Sequence, residues 1–220
     1  GIQTKRGCAL NCIYCTYPAL EGRAHRVRAP EPVADEIEHV HRAIGAEAFF
    51  FTDGVFNVPR EQALAVCREL ARRRLTVRWM AYCNPIGFDR ELALAMAEAG
   101  CIGVEFGLDG ATDKMLTALG KGFTTADIRA CLDAAGHADL PAAVHFLFGG
   151  PGETIKDIQE TQEFLDSCAR LNAVFASFGI RVYEGTPLAE LARSEGVIAA
   201  EASITATTYY VSETLGKNPL

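Results

Sequence analysis

Ala142-Ala143-Val144-His145-Phe146-Leu147-Phe148-Gly149-Gly150-Pro151-Gly152-Glu153-Thr154 is the stretch on which the fold turns. It begins as a short β-rich run, is broken by glycine and proline, and ends at Thr154, which opens a helical pattern predicted over Thr154–Leu171. Strand, side-chain-poor loop and helix together make one βα unit. The unit recurs along the chain, with strands predicted at Ile2–Lys5, Ala48–Asp53, Thr76–Tyr82, Gly103–Gly107, Ala142–Phe148 and Val174–Tyr183. Helices are predicted near Val33–Ile44, Arg60–Arg73, Asp89–Ala99, Ala111–Leu119 with Thr125–Gly136, Thr154–Leu171 and Pro187–Arg193. Pro32, Pro59 and Thr124 stand where helices should start, and Gly45, Gly100 and Gly136 where they should stop. Strands joined by helical crossovers dictate a parallel sheet with right-handed connections. A full eightfold barrel takes about 250 residues. A chain of 220 residues with six units therefore predicts an α/β fold, a partial, open (β/α)6 TIM-like barrel. One domain is expected over residues 1–199, with 200–220, including Tyr209-Tyr210-Val211, as the start of a C-terminal extension.

Composition narrows the function classes. The chain is 49% hydrophobic and 22% charged, an ordinary globular balance. No run approaches the roughly 20 apolar residues of a spanning helix, and no leader-like segment precedes the first strand, so a cytoplasmic protein with no membrane partner is expected. A net charge of −7 makes general binding of nucleic-acid backbone a poor expectation. Two basic runs oppose that total. Arg68, Arg72, Arg73, Arg74 and Arg78 lie in a helical pattern and read as a solvated face, whereas Arg23, Arg26 and Arg28 follow the most informative loop and either help line a site or are solvated in their turn. Of the eight cysteines, Cys67, Cys83, Cys101, Cys131 and Cys168 fall singly among apolar residues and read as small buried hydrophobes. Cys8, Cys12 and Cys15 sit together.

That triplet lies in Lys5-Arg6-Gly7-Cys8-Ala9-Leu10-Asn11-Cys12-Ile13-Tyr14-Cys15, immediately after the first predicted strand. Three thiolates so close in sequence can converge on one metal centre. Structural zinc wants four ligands, usually as two separated pairs, and His25 is the only imidazole nearby. A ferredoxin supplies four cysteines to its cluster. Three donors leave one coordination position open, as a catalytic site does and a structural one does not. Cys8-x-x-x-Cys12-x-x-Cys15, with Tyr14 before the last cysteine, resembles the signature of the radical S-adenosylmethionine enzymes. The resemblance implies a 4Fe–4S cluster held by Cys8, Cys12 and Cys15. It also implies chelation of the fourth iron by the amino and carboxylate groups of S-adenosylmethionine, and electron transfer that cleaves the sulfonium to a 5′-deoxyadenosyl radical. Tyr14 belongs to the same cofactor-binding loop, and an electron donor such as a flavodoxin or ferredoxin is implied.

The remaining loops extend the resemblance. After the second strand, Thr52-Asp53-Gly54 stands where relatives often carry Gly-Gly-Glu against the methionine ammonium; a carboxylate beside a glycine suits that task, and a simple turn is the alternative. Glu105, in Gly103-Val104-Glu105-Phe106-Gly107-Leu108-Asp109, should alternate into the barrel, where a lone carboxylate is costly unless it binds something. Relatives place a polar Glu-Ser-Gly contact to the cofactor there, with Phe106 replacing the serine in this chain. Gly120-Lys121-Gly122-Phe123-Thr124 resembles the Lys-Gly-aromatic-Thr turn of many relatives, with a plain connector as the alternative. Gly149, Gly150 and Pro151 match a glycine-rich segment that lines the cofactor pocket in the family, and His145 on the same strand faces either pocket or core. Arg181, in Arg181-Val182-Tyr183-Glu184-Gly185-Thr186-Pro187-Leu188, is a candidate partner for a carboxylate of cofactor or substrate. Trp79, Tyr82 and Tyr183 occupy strand ends and either shape a pocket or fill the core.

Cys12-Ile13-Tyr14-Cys15-Thr16-Tyr17-Pro18, with Glu21-Gly22-Arg23 and Arg26-Val27-Arg28-Ala29-Pro30 after it, looks most like the cobalamin-dependent branch. That branch implies a methyltransferase moving a methyl group from S-adenosylmethionine, by way of cobalamin, to a carbon centre of a small molecule in natural-product biosynthesis. It includes enzymes that methylate tryptophan C2, which are expected to work without the deoxyadenosyl radical. The upstream cobalamin-binding domain of the branch is expected outside these residues. The alternatives are a radical enzyme without cobalamin, such as a methylthiotransferase, and a metal-cluster electron-transfer module that is no enzyme.

Overall fold

The computed structural model describes residues 1–168, 171–199, 203–204 and 206–216. The elements run β1 (Lys5–Arg6), α1 (Tyr17–Glu21), β2 (Arg26–Val27), α2 (Pro30–Ile44), β3 (Ala48–Phe51), α3 (Arg60–Arg73), β4 (Arg78–Cys83), α4 (Arg90–Glu98) and β5 (Cys101–Asp109). They continue α5 (Asp113–Ala118), α6 (Thr125–His137), β6 (Ala142–Phe148), α7 (Ile155–Asp166), β7 (Ala173–Phe178), β8 (Ile180–Arg181), α8 (Pro187–Ser194), β9 (Tyr209–Tyr210) and α9 (Glu213–Gly216). Strands β3-β4-β5-β6-β7 form one parallel sheet in sequence order, the open barrel expected from the alternation of strands and helices.

Two of the six expected strands differ. Only Ile2 reaches the sheet at its first edge, through a parallel bridge to Phe51, while Lys5–Arg6 turns away to pair antiparallel with Arg26–Val27. The last strand is cut at Gly179, whose φ of 84° no strand residue adopts. β7 ends at Phe178, and Ile180–Arg181 pairs instead with Tyr209–Tyr210. Part of the expected extension thus returns to the barrel, where the Ser212 N–H also donates to the Gly149 carbonyl at 2.9 Å. The helix expected through Leu171 closes at Asp166, and the positions just before Leu171 lie outside the described residues.

Strand alternation sorts the sheet into two faces. On β5, Val104, Phe106 and Leu108 are buried against the helices, leaving Glu105 and Gly107 on the inner face. On β4, Trp79, Ala81 and Cys83 are buried likewise. Trp79 belongs to this core: it packs edge-on against Phe51 and donates its indole N–H to the Ala99 carbonyl at 2.8 Å. A second cluster of Leu119, Ile180, Val182, Leu188, Ala189 and Tyr210 joins α8 and the β8–β9 ribbon to the turn after α5. Caps set the helix starts after β5 and β6: Thr124 and Thr154 each form a reciprocal capping box, with Asp127 and Asp157. The arginine run on α3 is a solvated, ion-paired face, with Arg72 and Arg73 on Glu69, Arg73 also on Asp35, and Arg68 on Glu91.

Candidate active site

The carboxyl ends of β3, β4, β5 and β6, together with the cysteine loop, enclose a pocket of about 330 Å³. The loop contributes Cys8, Cys12, Tyr14 and Cys15; the turn after β3, Gly54 and Val55; β4, Tyr82; β5, Gly107 and Asp109; the turn after α5, Lys121; and β6, His145 and Leu147. A larger cavity of about 490 Å³ lies between the carboxyl-terminal ends of α6 and α7, lined by Arg129, Asp133, His137 and Cys168. It opens at the amino-terminal end of the strands, away from the cysteine triplet. In barrels of this kind the carboxyl ends carry the chemistry, and the smaller pocket is the one that holds the thiols.

Backbone hydrogen bonds pin the cysteine loop. The Cys8 N–H donates to the Gly22 carbonyl at 3.0 Å, the Ile13 N–H to the Leu119 carbonyl at 3.1 Å, and the Leu188 N–H to the Ile13 carbonyl at 3.0 Å. Under the loop lies a buried polar group. The Tyr14 hydroxyl and the Lys121 ammonium both donate to Asp109 Oδ2 through short bonds, and Lys121 also donates to the Tyr14 hydroxyl oxygen at 3.1 Å. Burial, and then Asp109, push the Tyr14 hydroxyl well above its ordinary value, so it stays protonated as a donor. Burial raises the Cys12 and Cys15 thiols, with Lys121 pulling both the other way. Metal binding at these cysteines therefore displaces protons. On the floor, His145 Nε2 meets Glu105 Oε2 at 2.7 Å, the imidazole stacks on Phe175 at 4.8 Å, and Tyr82 stands edge-on at 5.8 Å.

All eight cysteines are free. Among the described residues no group of three His, Cys, Asp or Glu side chains is disposed to hold a single metal ion. Three thiols from one loop fall one short of the four donors of a structural zinc site and match a cluster in which each thiolate takes a different iron and one iron stays open.

The model of the Radical SAM superfamily matches residues 2–165. The chain belongs to this superfamily. Relatives include an uncharacterized methyltransferase of Pyrococcus horikoshii, 29% identical over 198 residues and matched over 90% of this chain and 42% of that one. Tryptophan 2-C-methyltransferase of Streptomyces laurentii is 32% identical over 193 residues, 81% of this chain and 32% of that one. The radical SAM methyltransferase TsrM from Kitasatospora setae, solved with cobalamin and a [4Fe-4S] cluster, superimposes with a TM-score of 0.82 at 29% identity, over 88% of this chain and 36% of that one. Its structure with tryptophan and a SAM analog gives 0.86 at 26% identity, over 97% and 48%. This chain spans less than half the length of these proteins.

In this radical SAM chain the pocket gathers some of the expected site residues and not others. Cys8, Cys12, Cys15, Tyr14 and Gly54 line it. Glu105 stands on the inner face behind His145. Asp53 corrects the expectation of an ammonium partner. Its buried carboxylate accepts from the Thr4 N–H at 2.8 Å, the Thr4 hydroxyl at 2.5 Å, the Lys5 N–H at 3.1 Å and the Lys5 ammonium at 3.4 Å. It clamps the chain before the cysteine loop instead of facing the pocket. Thr52 likewise turns its hydroxyl to the Ile2 carbonyl. Gly149, Gly150 and Pro151 turn beyond the lining; the Gly149 and Gly150 N–H groups donate to the Glu153 carboxylate. Arg181 is exposed, its guanidinium 4.8 Å from the centre of the Tyr183 ring. Arg23 reaches the cysteine loop through Asn11 at 2.8 Å, outside the pocket.

Asp109 is a pocket residue that the sequence pattern does not single out. Glu105 takes the inward place that strand alternation expects, and Asp109 adds a second carboxylate at the strand's end. A register irregularity between Gly107 and Asp109 carries β5 onward, and Asp109, with a φ of 62°, ends it at the pocket. The signal was an acidic residue directly before Gly110 at the strand's end.

Proposed function

We propose that this chain is the catalytic barrel of a cobalamin-dependent radical SAM methyltransferase that methylates a carbon centre of a small molecule. The observation that carries the reading is the set of three free thiols from one loop facing a pocket at the carboxyl ends of parallel strands. Cys8, Cys12 and Cys15 would hold the 4Fe–4S cluster, and the pocket beside them would take S-adenosylmethionine, with Gly54 making room for the Tyr17 ring at its edge. The exposed ring of Tyr82 lines that pocket, and that of Phe175, stacked on His145, adds apolar surface beside it. When bound, the cluster supplies an electron and an open iron for the amino and carboxylate groups of S-adenosylmethionine, and cobalamin supplies a methyl carrier.

The chain's own residues do the rest. Asp109 and Lys121 fix the loop from below, and Leu147 and Val55 give the pocket apolar lining. His145, with Nε2–H donated to Glu105, offers Nδ1 as acceptor for the proton that an aromatic carbon loses when it is methylated. The electron comes from a flavodoxin or ferredoxin in this reading, and the eight free thiols suit the reducing cytoplasm. Among the described residues no helix is long and apolar enough to cross a membrane.

The test is anaerobic turnover of the full-length protein with cobalamin and S-adenosylmethionine labelled in the methyl group. Label appearing on cobalamin, with S-adenosylhomocysteine released, is the expected result. Methionine that retains the label, with 5′-deoxyadenosine as the only other product, would overturn the methyltransferase reading in favour of a radical enzyme without cobalamin.

A further inference from the structure

Lys121 is 4% exposed and its ammonium points at the cysteine loop. An ammonium has three donors and no acceptor. Two go to Asp109 Oδ2 and to the Tyr14 hydroxyl oxygen at 3.1 Å, and Lys121 lines the same pocket as Cys12, whose thiol feels the charge. The Tyr14 and Phe123 rings stand 5.6 and 5.7 Å from the charge. The backbone holds Lys121 in place. Gly120 and Gly122 on either side have φ of 67° and 73°, and a Cβ at Gly120 would collide with the Asn11 carbonyl oxygen of the cysteine loop. Turn and loop are pressed together at that point.

We propose that Lys121 and Asp109 are positioning residues whose opposed charges set the electrostatic potential at Cys12 and, through it, the reduction potential of the cluster the loop holds. The proposal rests on the cluster reading above. Reduction takes one electron from an external donor and adds one negative charge at the site, with no bond or proton changing place. A cation buried beside a ligand sulfur favours that charge, and a buried carboxylate opposes it, far more strongly than either does in water. Removing each partner should therefore move the potential in opposite directions. A scaffold role in holding the loop would move both the same way or neither.

The experiment is an anaerobic redox titration of the reconstituted full chain, followed by electron paramagnetic resonance with dithionite as reductant and with iron counted for each variant. Asn tolerates a left-handed backbone and is close in shape to Asp, so Asp109→Asn leaves β5 intact. The expected result is a midpoint raised in Asp109→Asn, lowered in Lys121→Met and nearest wild type in Lys121→Arg. If Lys121→Met fails to take iron because Asp109 is stranded, Asp109→Asn decides alone. Wild-type iron with an unshifted midpoint in Asp109→Asn, or shifts of the same sign in both variants, would overturn the inference. A wild-type chain that takes up no iron defeats the cluster reading itself, a different and recognisable failure.

Discussion

Asp53→Ala separates a structural carboxylate from a ligand-binding one. The side chain is fully buried, and it is the common acceptor for two backbone N–H groups, a hydroxyl and the Lys5 ammonium. After truncation, Lys5, itself 3% exposed, keeps only the Phe56 carbonyl at 2.8 Å. Breaking a buried pair from one side costs about 3–5 kcal/mol, and stranding the two N–H groups adds to that. Native proteins hold about 5–15 kcal/mol in total, so the variant should lose a large share of its stability. At about 2–4 °C per kcal/mol for a chain of this size, the melting temperature falls by on the order of 10 °C. Asp53→Asn keeps an acceptor for the backbone and should lose less. Thermal unfolding by circular dichroism, paired with equilibrium dialysis of S-adenosylmethionine on folded protein, reads both effects. The expected pattern is a large stability loss with affinity within a few-fold of wild type. Unchanged melting with affinity down tenfold or more would refute the reasoning and return Asp53 to the ligand.

Gly120→Ala combines a left-handed backbone with collision against the Asn11 carbonyl, so it should displace the cysteine loop and cut iron uptake at least severalfold in an anaerobic iron assay. Thr154→Ala removes the α7 cap and should cost about 1 kcal/mol, a melting shift of about 2–4 °C, with iron content unchanged. Arg72 and Arg73 hold the Glu69 carboxyl down to about 2, from the ordinary 4.5. Its folded value lies below its unfolded one, so its contribution is present above about 4.5 and is lost as pH falls towards 2. Glu69→Gln should therefore flatten the acid limb of stability in urea titrations over that window, and salt should weaken the effect.

The parts of the molecule that were legible in the sequence share a physical reason. Strand alternation and glycine stops are local signals, so β3 to β6 and their helices were read close to where they fall, and period two put Glu105 on the inner face. The cysteine triplet was legible because its donors share one short loop. What escaped depends on direction in space. Thr52-Asp53-Gly54 looks the same whether the carboxylate turns to a ligand or back to Thr4 and Lys5. Gly179 sat inside an apparently continuous β-rich run, and only its positive φ ends β7 there. Lys121 reads in sequence as a turn residue, and its meeting with Tyr14, 107 positions away, belongs to tertiary packing alone.

The most direct test of the account is anaerobic reconstitution with iron and sulfide, followed by electron paramagnetic resonance before and after adding S-adenosylmethionine. The account predicts about four irons per chain, a reduced-cluster signal that S-adenosylmethionine perturbs, and loss of both in Cys12→Ala. Stable zinc with no iron uptake, or a cluster signal indifferent to S-adenosylmethionine, would contradict it.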